Sequence, residues 1–453
     1  MSGAAEPDVG ASSGLRRRVR RVAVDTRPLA IPAFRRTFLG QGTAFVGTMV
    51  TSVAAPVQIY AISSSSLLVG LSGLVGLVPM VIFGLYGGAV ADAVDRRVLY
   101  LASSLLAWAV TLALLAQSLL GLRSVALILV LIAVQTAAFA VSSSTRGAVV
   151  PALVPADQVS AANALTFTAG NVGSVLGPLL AGLLVGMHDG FSYAYGVDAV
   201  LFTAALYSAL RLPPLRPVGV TARPGLRSVL DGLRFIGANP VLLMSFLVDI
   251  AAMVLAMPRA LFPEAAATRF HGGVGPLYSS IALGAVLAGL SSGWIGRVRR
   301  QAVVLTAAVV GWAVAIALAG LAHTYWLALL LLVLGGAADL VSAVCRQTIL
   351  QTYVPDGMRG RLQGVFTVVV AGGPRLGDLR AGAMASATTL TIAWSGSAVL
   401  CVVVVLAAAV AVRPFWRYDT SRAGRAVVNP DRPAVTVPAV RDGEAVEGID
   451  LAT

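Results

Sequence analysis

The stretch Gly88-Ala-Val-Ala-Asp92-Ala-Val-Asp95-Arg96-Arg97 closes one long apolar run, Leu67 to Ala91, and precedes the next, Val98 to Leu119. Each run is long enough to cross about 30 Å of hydrocarbon as a helix. Carboxylates and arginines are disfavoured within the bilayer. The stretch is therefore predicted to form a short loop between two membrane helices.

The composition extends this interpretation to the whole chain. Of its 453 residues, 57% are hydrophobic and only 12% are charged, about half the charged fraction of a soluble domain. Apolar segments recur from Phe38 to Val412. Because lipid offers the backbone no hydrogen-bond partners, these segments must be helices. The prediction is an all-α membrane protein.

Twelve membrane helices are expected, in two six-helix bundles, with boundaries good to a few residues. Their predicted spans are 38–60, 67–91, 98–119, 124–145, 160–186, 192–211, 241–262, 275–295, 302–322, 324–345, 362–385 and 391–412. The predicted organisation is a basic tail (1–36), a first bundle (37–211), a linker with an amphipathic helix (212–240), a second bundle (241–413) and a disordered tail (414–453).

The arginines define the expected orientation. The net charge is +13 and every cationic side chain is Arg, but the arginines lie between apolar runs rather than on one basic face, which argues against nucleic acid as a partner. Most fall in loops on one side, whereas Arg123, Arg259 and Arg269 are expected on the other. The positive-inside rule then places both termini in the cytoplasm. The N-terminal arginine cluster is expected to lie near anionic lipid.

An internal repeat relates the two predicted bundles. Residues 173–182 (GSVLGPLLAG) and 373–382 (GPRLGDLRAG) are identical at six of ten positions, at a shift of 200. At the same shift Arg146 and Pro155 fall on Arg346 and Pro355. Recurrence in the same order favours two parallel halves related by an axis along the membrane normal.

Enzymatic chemistry has no candidate constellation. Cys345 and Cys401 fall in apolar helices, and His188, His271 and His323 fall in separate loops, so no metal, cofactor or nucleophile site is expected. A membrane receptor that senses a substrate without transporting it remains an alternative, but it would normally add a soluble output domain, and the C-terminal segment 414–453 is too polar to be one.

Two motifs resemble those of the major facilitator superfamily. The loop resembles G-x-x-x-D-R-x-G-R-R, with Ala93 and Asp95 replacing an arginine and a glycine, and it ends in Arg96 and Arg97. The resemblance implies the major facilitator fold, and a gate in which Gly88, Asp92 and the rest of the loop meet the start of helix eleven near Arg361.

The second motif is Gly173-x-x-x-Gly177-Pro178-x-x-x-Gly182 in helix five, which resembles the antiporter motif of the superfamily, with Ala181 in place of one glycine. Small residues on one helical face also serve plain helix packing, so that alternative stays open.

Further segments resemble the branch of the superfamily that includes the enterobactin exporter. They are Pro32–Arg36, Ala55–Gln58, Pro151–Pro155, Ala162–Ala164 and Gly360–Leu362. This resemblance implies export of a siderophore. Export of drugs or other metabolites is the alternative, since exporters with other cargoes share these patterns.

Ionisable residues inside the predicted helices are expensive and therefore candidates for function. They are Asp198, Asp249, Asp339, Arg346, Arg375, Asp378 and Arg380. Arg375 is expected to bind an anionic, oxygen-rich cargo, and Asp249, Asp339 or Asp378 to take up protons. Asp249 is favoured over Asp378, because a nearby arginine lowers the pKa of a carboxyl group. Alternatively, Arg375 and Asp378 form an internal salt bridge.

These observations predict a monomeric, proton-coupled exporter of a small amphiphilic molecule. It is expected to span the bilayer of the bacterial cytoplasmic membrane.

Overall fold

The computed structural model describes residues 25–93, 95–212, 226–354, 356–412 and 415. In this part of the chain helices account for nearly all regular structure, and twelve of them are long or apolar enough to be membrane helices. They are α1 Pro32–Ser63, α2 Ser66–Ala93, α3 Arg96–Leu119, α4 Val125–Leu153, α5 Val159–Val185, α6 Gly190–Leu210, α7 Pro240–Ala256, α8 Val274–Leu290, α9 Gln301–Leu321, α10 Tyr325–Tyr353, α11 Asp356–Ala387 and α12 Ser397–Ala411.

Ten of the crossing segments are long and apolar enough to span a membrane by themselves. The other two are α8, which is apolar but only 17 residues long, and α11, which carries Arg375, Asp378 and Arg380 along its length. Both correspond to membrane helices predicted from the sequence, at 275–295 and 362–385. The all-α membrane architecture is therefore confirmed.

Several helices continue past the predicted ends. Helix α1 begins at Pro32 rather than at residue 38, and α4 and α10 run on to Leu153 and Tyr353. The apolar runs used to predict the helices end at the first polar residues. The helices themselves continue, because their backbone hydrogen bonds also form outside the hydrocarbon layer. Helix α2 likewise extends to Ala93, so Gly88 and Asp92 lie in its last turns and not in a loop.

We call the membrane face where α1 begins the tail face, and the face where α1 ends and α2 begins the far face. Glycines bring the two halves together near the far face. An added Cβ on Gly182 of α5 would meet the backbone of Gly275 of α8, and one on Gly382 of α11 would meet Ser66 and Gly70 of α2. Ser66 also donates a 2.5 Å hydrogen bond to Glu264.

These contacts are equivalent in the two halves. Gly173 and Gly177 of α5 lie against Phe45, Val46 and Met49 of α1, just as Gly373 and Gly377 of α11 lie against Met253 and Met257 of α7. The shift of 200 residues therefore relates corresponding contacts in space.

The segment after α7 departs from the predicted helix 241–262. Helix α7 ends at Ala256. Met257, whose backbone is extended, and Pro258 then precede a 3-10 turn, Arg259–Leu261. The chain then continues through Phe262–Ala265 and a π-helical turn, Ala266–Phe270, within the same crossing segment. Arg259 therefore lies in a turn after the break rather than in a continuous helix, and its expected position on the outer side stays a prediction.

The predicted linker contains a helix, Leu226–Ala238. Ile236 is buried whereas Leu233 and Arg234 are exposed, an arrangement consistent with an amphipathic helix. The predictions for residues 1–24, 213–225 and 416–453 lie outside the described residues.

Candidate transport site

A central cavity of about 470 Å³ lies between the two halves, a size typical of small-molecule sites. Its walls come from α1, α2 and α4 of the first half and from the post-α7 segment, α8 and α11 of the second. The polar lining residues are Thr48, Thr51, Ser52, Ser72, Gln135, Thr136, Arg259, Tyr278, Arg375 and Asp378, and apolar contacts include Met49, Met80, Ile132 and Phe139.

Two arginines give the cavity a positive character. Arg375 of α11 crosses to the first half, where its guanidinium fills the space beside Gly76 that a Cβ would occupy, close to Thr136. Arg259 is exposed and lies just after the break in α7. Arg259 is a site residue that the sequence pattern did not single out. The feature that could have indicated it is Pro258, a helix-breaking residue inside an apolar run.

Asp378 is the carboxylate of this cavity. Its Oδ1 accepts a hydrogen bond from the backbone N–H of Ala260, at 3.2 Å. The positive charges of Arg259, Arg375 and Arg380 act on it. Among the described residues Asp378 has no ion pair within 4 Å with Arg375, so the alternative of an internal salt bridge between these two is wrong for this conformation.

Arg380 serves the packing of the second half. Its Nε donates to the carbonyl of Val254 at 2.9 Å and its Nη1 to that of Ala393 at 3.2 Å. These bonds join α7 and α11 to the π-helical turn Ile392–Gly396, which precedes α12.

Asp249 and Arg346 form a buried ion pair between α7 and α10 through Oδ1 and Nη1. Ser342 lies 3.5 Å from the same Nη1, and the guanidinium lies 5.5 Å from the ring centroid of Phe366. Neither residue is part of the cavity wall. Asp339 is half-buried on α10, where the charges of Arg346 and Arg259 act on it. The proton role of Asp249 and Asp339 stays a prediction.

A second buried carboxylate lies in the first half. Asp198 of α6 is fully buried, and its Oδ2 accepts a 2.5 Å hydrogen bond from Thr51 of α1. Thr51 also lines the cavity. Depth alone singled out Asp198 in the sequence, because nothing in the pattern links it to Thr51, which lies 147 residues away.

The loop signature is only partly described. Asp95 is the N-cap of α3, where its side chain accepts a hydrogen bond from the backbone N–H of Arg97, at 2.9 Å. The guanidinium of Arg97 donates to the carbonyl of Leu210 at 2.9 Å. The surroundings of Gly88 and the side chains of Asp92, Arg96 and Arg361 lie outside what the structure describes, so their gating role stays a prediction.

The antiporter-like motif lies on two interfaces. Gly173 and Gly177 face α1, whereas Gly182 and the carbonyl of Pro178 approach Gly275 of α8. Helix packing requires these small residues whether or not the carrier is an antiporter, and the antiport role stays a prediction.

Comparisons with known proteins agree with this architecture. A family model described as "Transmembrane secretion effector" matches residues 24–436. The enterobactin exporter EntS of Shigella boydii serotype 4 (strain Sb227) is 31% identical over 373 residues, which cover 81% of this chain and 88% of the exporter. EntS of Citrobacter koseri is 30% identical over 366 residues, which cover 79% and 86%.

Solved structures share the fold at low identity. The nucleoside transporter NupG has a TM-score of 0.67 at 14% identity, and the match covers 83% of this chain and 98% of NupG. A D-xylose–proton symporter has a TM-score of 0.64 at 14% identity, and the match covers 86% of this chain and 98% of the symporter.

Since its curated relatives are named as exporters, the chain is a transporter and not an enzyme. It belongs to the transmembrane secretion effector family of the major facilitator superfamily.

Proposed function

We propose that the protein exports a siderophore across the bacterial cytoplasmic membrane, driven by proton entry through alternating access. The observation that carries this proposal is the cavity between the halves, to which Arg259 and Arg375 present guanidinium groups. Guanidinium groups bind oxygen anions through paired hydrogen bonds. An anionic, oxygen-rich molecule fits that lining, and the relatives named as enterobactin exporters favour a siderophore.

Alternating access is supported by where the halves meet. The contacts Gly182–Gly275, Gly70–Gly382 and Ser66–Glu264 cluster near the far face. With both termini in the cytoplasm, the far face is the outer one, and this conformation is closed to the outside. Cargo from the cytoplasm would enter such a state, and separation of these contacts would release it.

The test is secretion from the natural host under iron starvation. Deletion of the gene should trap siderophore in the cells, and the wild-type gene should restore secretion. Arg259→Gln should fail to restore it at equal expression, because the cavity loses a cation. Arg123 is an exposed arginine between α3 and α4. Arg123→Gln is therefore the matched control and should restore secretion.

Two results would overturn the proposal. Siderophore secretion that survives the deletion in a host without a second exporter would exclude siderophore as the cargo. New sensitivity to cationic dyes in the same strain would point to drug efflux instead.

A further inference from the structure

We propose that Asp198 is a proton-binding site of the first half, which the cavity reaches through the hydroxyl group of Thr51. The inference deepens the proposed function and rests on its proton coupling.

The carboxylate of Asp198 is enclosed by three helices. Its Oδ2 accepts from Thr51 of α1 at 2.5 Å and lies 3.4 Å from the hydroxyl of Thr111 of α3. Its Oδ1 has no hydrogen-bond partner among the described residues and lies against Gly47 of α1, where an added Cβ would meet it. One oxygen of the carboxylate is therefore left without compensation.

No positive charge compensates this carboxylate either. Its polar neighbours are Thr51, Thr111 and, three residues earlier on α6, Tyr195, whose hydroxyl donates to Gln58 at 2.7 Å. On α3, the indole of Trp108 donates to the carbonyl of Ala199. Among the described residues no Arg or His lies within 4 Å of Asp198. Burial without a positive neighbour makes the ionised carboxylate costly and favours its protonated form.

The carboxylates of the second half differ in this respect. Asp249 is paired with Arg346, and Asp378 lies among Arg259, Arg375 and Arg380. Positive neighbours stabilise the ionised form and oppose proton uptake. Asp198 is thus better suited to hold a proton than either of them.

The hydroxyl groups around Asp198 accommodate both of its forms. The single hydrogen of Thr111 can bond to the carbonyl of Ala107, 3.2 Å away, and its oxygen can then accept from the protonated Asp198. When Asp198 is ionised, Thr51 donates to it. The site can therefore lose and regain a proton without repacking.

Thr51 lies between Asp198 and the cavity: it is 2% exposed, donates to Oδ2 of Asp198 and is among the residues that line the cavity. A hydronium ion in the cavity can give a proton to Oγ1 of Thr51 while the existing hydroxyl hydrogen passes to Oδ2 of Asp198. One water remains in the cavity, Thr51 is unchanged, and Asp198 goes from a charge of −1 to neutral. The reverse sequence releases the proton.

The transport experiment compares full-length variants in proteoliposomes, with enterobactin as the probe and a pH-sensitive dye as the readout. The measured quantity is protons moved per enterobactin. Asp198→Asn should lower this ratio close to zero while enterobactin still moves down its own gradient. Thr51→Val, which keeps the side-chain shape but lacks the hydroxyl, should lower it severalfold, and Thr51→Ser should recover it relative to Thr51→Val.

Thr43→Val is the matched control on the same helix. Its hydroxyl bonds to carbonyls of its own helix, Leu39 and Gly40, and does not line the cavity. A purely structural role for Asp198 would give variants of reduced thermal stability with an unchanged proton ratio, and that result overturns the proposal. If Asp198→Asn does not fold, the comparison of Thr51→Val with Thr51→Ser decides it.

Infrared difference spectroscopy separates this inference from the proposed function. The purified protein without cargo should show, near neutral pH, the carbonyl-stretching band of a protonated buried carboxyl group that Asp198→Asn lacks. If that band is missing, Asp198 is not the site, even when transport is proton-coupled. If the band is present and enterobactin is not transported, the cargo assignment fails and the proton site stands.

Discussion

Arg346 of α10 donates through Nη1 to Oδ1 of Asp249 of α7, and the two side chains are 4% and 2% exposed. The other oxygen of Asp249 and Nε of Arg346 have no partner among the described residues. The pair therefore joins two helices of the second half with part of its hydrogen-bonding capacity unused.

Asp249→Asn should destabilise the protein, because it leaves Arg346 as a buried charge without a counter-ion. The expected loss of unfolding free energy is about 3–5 kcal/mol. The double variant Asp249→Asn/Arg346→Gln should recover most of it, because both charges are gone. Thermal unfolding in detergent measures these differences. Wild-type stability of Asp249→Asn with complete loss of uphill transport would instead support a role in proton coupling.

Gly182→Ala should open the far face. The new Cβ would meet the backbone of Gly275, which cannot move aside as a flexible side chain would. Gly170→Ala, on the same helix with open space around it, is the control. Ser52 is an exposed residue of the cavity wall. A cysteine placed there is labelled by a membrane-impermeant maleimide added to one side of the membrane, so the labelling measures how accessible the cavity is from that side. Native Cys345 and Cys401 are buried and add little background. Equal labelling of the two variants would contradict the prediction.

Arg375→Gln should weaken cargo binding. A hydrogen bond to a charged group contributes about 1.5–3 kcal/mol, which corresponds to about a ten- to hundredfold increase in Kd. Arg375→Lys should fall between wild type and Arg375→Gln, because lysine keeps the charge but lacks the planar fork. Tryptophan-fluorescence titration with enterobactin measures the Kd of the wild type, Arg375→Gln and Arg375→Lys. Equal Kd values would show that Arg375 does not contact the cargo.

Asp95→Ala should loosen the first turn of α3, whereas Asp95→Asn should preserve it. Asparagine can accept the hydrogen bond from the N–H of Arg97 almost as well, and loss of an N-cap costs about 0.5–2 kcal/mol. Hydrogen exchange at Arg97 to Tyr100 is the measurement. Exchange in Asp95→Ala as slow as in the wild type would mean that the N-cap does not stabilise the first turn of α3.

The membrane helices and their repeat could be predicted from sequence because both depend on local pattern. Runs of apolar residues define helices, and glycines that recur at the same spacing on a helical face indicate where backbones approach. The repeat at residues 173–182 and 373–382 anticipated equivalent contacts of α5 with α1 and of α11 with α7.

The charged sites could not be predicted in the same way because they depend on distant residues. Pro56 in the first half and Pro258 in the second behave differently: Pro56 lies within the continuous α1, whereas α7 ends just before Pro258. That break brings Arg259 into the cavity. The link between Thr51 and Asp198, like the pair of Asp249 with Arg346, joins helices whose pairing no local pattern encodes.

The two arginines of the cavity have a consequence for how the empty carrier rests in an energised membrane. Arg259 and Arg375 against Asp378 leave one net positive charge in the cavity wall. A potential of about 100 mV does about 2.3 kcal/mol of work on one charge that crosses the whole field. In the alternating-access cycle proposed above, this work in an inside-negative cell favours the empty cavity opening to the cytoplasm, where cargo would be loaded. A bound monoanion cancels the charge, so the loaded carrier turns outward without opposition from the voltage.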